Sequence, residues 1–306
     1  GAASSGVSLT VIDKITSNGV VQFSPANTAP VLTTYEDNGL YFRNSPSDVL
    51  QGAVIAASAI DAGVTSMAVI ARQDPYGEGL AIATVKDFTA AGGTVTSDIL
   101  YDPAAPSFEA EVAEIKAGSP DAVTVIGFEE SVKLVQEMIK QGVGPADVQL
   151  YLVDGNLSTT AFADFPKDTM KGTVGTVPSG SEDLTAFYDR MATFDPALTD
   201  YSYGPQSYDA TMVIALAAQQ AGCADGVAIA AALADVAGNG GEECSTYADC
   251  LALIDAGTDI DYMGVTGGVD FNEFGDLLEG TISINEYTSN TEFGEIGSIT
   301  AVVPLP

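Results

Sequence analysis

Short apolar runs rich in β-branched residues alternate with Ala-rich amphipathic stretches from Tyr41 onward, and Gly or Pro stands at most of the joints. This is βα patterning, and it predicts a parallel sheet. Strands are expected at 67–71, 94–100, 122–126 and 148–153, and helices at 79–91, 108–117 and 129–141. Gly92-Gly93 and Gly142 stop two of these helices. Four strands with intervening helices make one doubly wound lobe. Such sheets bind ligands beyond the carboxyl ends of their strands, so the segments of interest are 73–78, 127–130 and 154–158.

After an expected strand at 174–177 the pattern turns helical, over 183–193, 206–222, 227–236 and a segment near 248–255. Strand-like material is scarce there. This block is expected to borrow a sheet from residues 1–47, where a helix over 7–15 and a strand over 20–23 are legible, so its lobe is discontinuous. Late strands are expected at 269–271, 281–287 and 299–303, with a turn at 272–276. No internal repeat or low-complexity tract interrupts the pattern.

Length and composition narrow the function. The 306 residues suit two lobes of about 150 residues each, and a hydrophobic content of 46% is ample for their cores. With 10 basic against 42 acidic residues the net charge is -32, which opposes binding to nucleic acid or to an anionic membrane. The acidity reads as a solvated surface suited to a salty setting. No apolar run reaches the roughly 18 residues of a membrane span, and nothing at the N-terminus has the pattern of an export signal. The chain reads as soluble.

Cys244 and Cys250 lie close together in a Gly- and Glu-rich stretch, and a local disulfide between them is expected, which implies an oxidising compartment. Cys223 is left as a buried free thiol or as a partner for a cysteine outside this sequence. With no His and one further Cys, a zinc site is poorly supplied with ligands. No metal or cofactor is expected. Nor does any nucleophile and base pair stand out, so catalysis is not expected.

Several loops carry candidate chemistry. Gly1-Ala2-Ala3-Ser4-Ser5-Gly6 precedes a helix, and small residues with unpaired N–H groups and hydroxyls suit a carboxylate or a phosphate. Ser24-Pro25-Ala26-Asn27-Thr28-Ala29-Pro30 follows a strand, and its prolines keep the backbone extended with carbonyls available. Asp154 before Gly155 could be turn or capping chemistry, and Tyr76 and Phe128 could be ordinary packing. No one of these is specific.

Their order is. The chain resembles the type I periplasmic binding proteins, in particular the leucine/isoleucine/valine-binding receptors of ABC transporters, over nearly all its length. The resemblance rests on the Ser-Ser loop at 1–6, the 24–30 loop, Phe42-Arg43 with Asp48 and Gln51-Gly52, Tyr76-Gly77-Glu78-Gly79, Tyr208-Asp209-Ala210, and Asp270-Phe271-Asn272-Glu273-Phe274-Gly275-Asp276. It implies an α/β fold of two lobes, each a doubly wound, mostly parallel sheet flanked by helices, with a ligand cleft between them. Lobe 1 would comprise 1–47 plus 179–283, and lobe 2 would comprise 48–178 plus 284–306. It further implies that segments preceding Gly1 in the family, most of the first half of lobe 1, are absent here.

By the same resemblance Ser5 should donate to the α-carboxylate of a free amino acid, Thr28 should bind it through hydroxyl or N–H, and the Ala26 carbonyl should accept from the ammonium. Asp154 would be the ammonium's acidic partner, while Tyr76 and Phe128 close over the ligand. Related receptors carry Glu at the position of Asp154 and Tyr at that of Phe128, so the ligand could be a branched-chain amino acid, another amino acid or a small amide. Glu129 and Glu130 lie nearby and read as solvated helix-start residues in preference to contacts for a basic side chain. The implied protein is a monomer, periplasmic or extracellular, whose hinge near 46–48, 178–180 and 281 closes on ligand and is read by a membrane permease. A lipid anchor upstream of Gly1 is one option, and a sensing receptor of the same fold is the rival reading.

Overall fold

The computed structural model describes residues 1–180, 183–238 and 240–306. It divides into two compact units, one of 1–47, 179–281 and 300–306, the other of 48–178 and 282–299. The final stretch differs from the sequence expectation, which assigned all of 284–306 to the second lobe. Val303 N–H donates to the Leu278 carbonyl at 2.9 Å, and the hydroxyls of Thr281 and Thr300 meet at 2.9 Å. These contacts hold the last residues in the first unit.

The first unit begins with helix α1 (Ser5–Thr16) and strands β1 (Gln22–Ser24) and β2 (Tyr41–Arg43). The second contains α2 (Asp48–Asp61), β3 (Ser66–Arg72), α3 (Pro75–Ala90), β4 (Thr94–Tyr101), α4 (Glu109–Gly118), β5 (Ala122–Ile126), α5 (Ser131–Gln141), β6 (Gln149–Leu152) and β7 (Val174–Ser179). The chain then runs through α6 (Thr185–Phe194), α7 (Gly204–Ala221), α8 (Gly226–Val236), β8 (Glu242–Cys244), α9 (Tyr247–Asp255), β9 (Ile260–Gly264) and β10 (Gly267–Gly268). Long strands β11 (Glu279–Tyr287) and β12 (Phe293–Val302) finish it.

In the second unit the sheet order is β12-β11-β7-β6-β5-β3-β4, and the five strands from β7 to β4 are all parallel. Strand β3 shows why. Met67, Val69 and Ala71 pack into one buried cluster with Leu80 and Phe88, while Ala68 and Ile70 pack into another with Val123, Leu134 and Phe162. Successive side chains alternate between faces, so a strand covered on both faces must be apolar throughout. Helix α3 starts at Pro75, four residues before the expected 79, because Asp74 caps it by accepting from Gly77 N–H at 2.9 Å and proline is favoured at the first helical position. That places Tyr76 in the first turn of the helix.

The first unit corrects one expectation. Its helical block carries a small sheet of its own, ordered β10-β9-β8, while β1 and β2 form a separate parallel pair. The strand expected at 269–271 is reduced to an isolated bridge between Phe271 and Leu277 flanking the 272–276 turn. Asp209, wholly buried in α7, ties this region together: it accepts from Tyr262 Oη, Val265 N and Thr266 N, each at 2.9 Å, and from Thr266 Oγ1 at 2.7 Å. Burial pushes its carboxyl above the ordinary range despite these donors. Cys244 and Cys250 form the expected disulfide, with Cα atoms 5.3 Å apart. Cys223 is exposed, not buried, because it lies just past the end of α7.

Gly52 in α2 sets the approach of α3. A Cβ there would stand 2.6 Å from the Ala83 Cβ and 2.7 Å from the Thr84 backbone N. Helix propensity favours Gly52→Ala by about 1 kcal/mol, but overpacking against backbone costs about 1–3 kcal/mol. The expected result is a net loss of stability, read as a lower urea midpoint with unchanged slope.

Candidate functional site

Two clusters carry the candidate residues, one in each unit. In the first unit, Ser5 opens α1 and is 2% exposed. Its Oγ accepts from Thr28 N–H at 3.3 Å and Ala29 N–H at 3.2 Å. With two donors on the oxygen, the hydroxyl proton is what Ser5 can still offer. The Thr28 N–H is thereby engaged within the protein. Asn27 stitches the loop to the start of the chain by donating from Nδ2 to the carbonyls of Ala2 at 3.0 Å and Ala3 at 2.8 Å. Ser24 Oγ accepts from Ala26 N–H at 3.2 Å and donates to the Ala2 carbonyl at 3.0 Å.

Beneath this loop lies Arg43, fully buried at the end of β2. Its Nε and Nη2 donate to the two oxygens of Asp276 at 2.6 and 2.8 Å, a bidentate pair. Nη1 donates to the Ala29 carbonyl at 3.0 Å, and Nη2 to Thr33 Oγ1 at 2.9 Å. Thr33 in turn donates to Asp276 at 2.7 Å. Tyr41 Oη donates to Asn27 Oδ1 at 3.0 Å, and burial pushes the Tyr41 pKa far up, so the phenol stays neutral. Gly275 has φ of +76° and sits against the Tyr41 carbonyl, where a side chain would not fit.

In the second unit Tyr76 Oη donates to Asp154 Oδ1 at 2.8 Å, and the Tyr76 and Phe128 rings stack with centroids 5.3 Å apart and planes 6° apart. The Arg72 guanidinium carbon stands 3.9 Å from the Phe128 ring centroid, a cation–π contact. Arg72 also pairs with Asp74 and Glu130, both at 2.7 Å. Glu130 therefore departs from the solvated reading: it holds Arg72 and accepts from Phe128 N–H at 3.1 Å and Tyr101 Oη at 3.0 Å, while Glu129 is exposed. Gly155 lets this wall close up, since a Cβ there would stand 2.7 Å from Phe128 Cδ1. Asn156 pins the same loop by donating to the Val125 carbonyl at 2.9 Å and Ser131 Oγ at 3.0 Å.

The structure thus brings Ser5 and Thr28 together, and separately Tyr76, Phe128 and Asp154. Ala26 is buried in the same loop, two positions before Thr28. Sequence reading assigned no role to Arg43, Asp276 or Gln51, although each stands in a motif that signalled the family, and it overlooked Arg72. A basic residue following Tyr41-Phe42 in an apolar strand was the available signal for Arg43, because a buried cation demands a partner.

The family model described as "Receptor family ligand binding region" matches residues 1–290. The chain belongs to this family. Its fold is that of the type I periplasmic binding proteins, similar to a leucine binding protein, LivK, from Thermotoga maritima, with a TM-score of 0.78 at 19% identity, covering 98% of this chain and 78% of that one. Among receptor-family relatives, a chemotactic signal transduction system substrate-binding protein, BasB, from Halobacterium salinarum is 27% identical over 88% of this chain and 65% of its own length. Leu/Ile/Val-binding protein homolog 1 from Brucella abortus is 29% identical over 76% of this chain and 62% of its own length. The chain spans just under two thirds of these two relatives.

For this receptor domain the ion pair below the first loop predicts a clear asymmetry. Asp276→Asn leaves the Arg43 charge buried with half its partner and should cost about 3–5 kcal/mol in chemical unfolding, whereas replacing both members by Arg43→Met with Asp276→Leu should cost much less.

Proposed function

We propose that this protein binds a free amino acid, branched-chain or similar, between its two lobes and that the closed form is what a partner reads. The observation that carries this reading is the complementary chemistry of the two clusters. Ser5 is a hydrogen-bond donor at the N-terminus of α1, beside the Thr28 hydroxyl, where the helix end favours negative charge. Asp154 is a carboxylate beside a stacked aromatic pair. A zwitterion with an apolar side chain needs donors for its carboxylate, a countercharge for its ammonium and an apolar wall. The Ala26 carbonyl supplies a further acceptor for the ammonium.

Ligand that contacts both clusters stabilises the closed arrangement by its differential affinity. Hinges near 46–48, 178–180 and 281 would carry that motion. An ABC permease is the partner this reading implies, the protein is an extracytoplasmic monomer, and it works by binding, without catalysis. Support comes from the relatives named for Leu/Ile/Val and leucine binding. One relative favours a second use of the same binding event, because it is named as part of a chemotactic signal transduction system. Affinity capture distinguishes them: a permease subunit retained with ligand supports transport, and a transducer supports sensing.

A thermal-shift panel of the common amino acids and small amides tests the ligand class. At least one α-amino acid should raise the melting temperature, and a saturating ligand at 100 times its Kd should add about 2.7 kcal/mol. Asp154→Ala should abolish that shift for every ligand bearing an ammonium group while the unliganded protein still unfolds cooperatively. A panel without any shift would remove the amino-acid reading.

A further inference from the structure

Gln51 lies in α2, wholly buried, and its contacts all point one way. Nε2 donates to Asp154 Oδ1 at 3.0 Å, Thr176 Oγ1 at 3.1 Å and the Thr176 carbonyl at 3.2 Å. The amide oxygen, by contrast, is buried and has no hydrogen-bond partner among the described residues. Turning the amide over would gain at most the Thr176 hydroxyl as a donor, while it set the oxygen against a carboxylate and a carbonyl, both acceptors, and left the NH2 group where the oxygen now finds no partner. The fold therefore tolerates an orphaned carbonyl to keep one NH2 group aimed at Asp154, and such an orphan in a native interior calls for a reason.

The geometry points to Gln51 as the positioning residue of Asp154. Together with Tyr76 Oη it places two donors on Oδ1, which fixes the carboxylate's rotation and favours its ionised form. The backbone supports this aim: Gly52 admits α3 close against α2, and α3 delivers Tyr76 to the same oxygen. Thr176, fully buried in β7, accepts from the amide and sets its angle. An Asp is one methylene shorter than a Glu, so a carboxylate here has less reach of its own and depends more on what holds it. This inference rests on the reading that Asp154 meets the ligand's ammonium, but its first test does not.

That first test is the titration of the Asp154 carboxyl carbon by NMR in the unliganded full chain. Gln51→Met keeps the length and removes the donor, and should move the Asp154 midpoint to higher pH. Thr176→Val, which frees the amide to turn, should move it in the same direction by less and keeps the idea testable if Gln51→Met does not fold. An unchanged midpoint in the folded variants overturns the positioning role. The second test compares L-leucine with 4-methylpentanoate, which keeps the carboxylate and the side chain without the ammonium. Gln51→Met should weaken L-leucine about tenfold or more and leave the affinity for 4-methylpentanoate nearly unchanged. Equal weakening of both ligands would make Gln51 merely structural and overturn the inference. A shifted midpoint in a protein that binds no amino acid would support the positioning role and sink the amino-acid reading instead.

Discussion

The bidentate pair of Arg43 and Asp276 is the constraint on which the candidate ligand loop depends. A guanidinium with no exposure to water is tolerated only because every face of it finds an acceptor, and those acceptors come from three separate stretches of chain. Asp276 neutralises it, Thr33 bridges the two, and the carbonyls of the 27–29 segment complete its shell. The loop that carries Ala26 and Thr28 is thus fixed from below by charge and from the side by Ser5 and Asn27. If it is a binding loop, a segment held this way enters an encounter already ordered, with little conformational entropy left to lose.

The second unit achieves order differently. Its wall of Tyr76 and Phe128 is backed by Arg72, whose charge is shared between an aromatic face and two carboxylates. Gly155 admits the Phe128 ring into a space no side chain could share, and Gly127 does the same for the hydroxyls of Tyr101 and Ser131. Here the fixed element is an aromatic slab and a short loop at the carboxyl ends of parallel strands, the place where doubly wound sheets converge their functional groups.

Much of this was legible in the residues, for identifiable reasons. Strands such as β3 and β5 are sandwiched between two buried clusters, so their apolar runs announce themselves. Strand β8 is Glu242-Glu243-Cys244 and β10 is a pair of glycines, and neither composition differs from loop. That is why the helical block looked as if it lacked a sheet. Among the candidate site residues, Ser5, Thr28, Tyr76, Phe128 and Asp154 stand in short local motifs. Arg43 and Gln51 do not reveal their work locally, because Arg43 meets Asp276 across 233 positions and Gln51 meets Asp154 across 103. Only the folded topology brings such pairs into register, and Glu130 was misread for the same reason.

The exposed Cys223 adds a practical consequence of a different kind. It is the single thiol outside the disulfide and stands just past the C-terminal end of α7. Within these 306 residues, maleimide chemistry can therefore attach one dye or spin label at a defined point of the first unit, giving an optical or paramagnetic reporter without engineering a new cysteine.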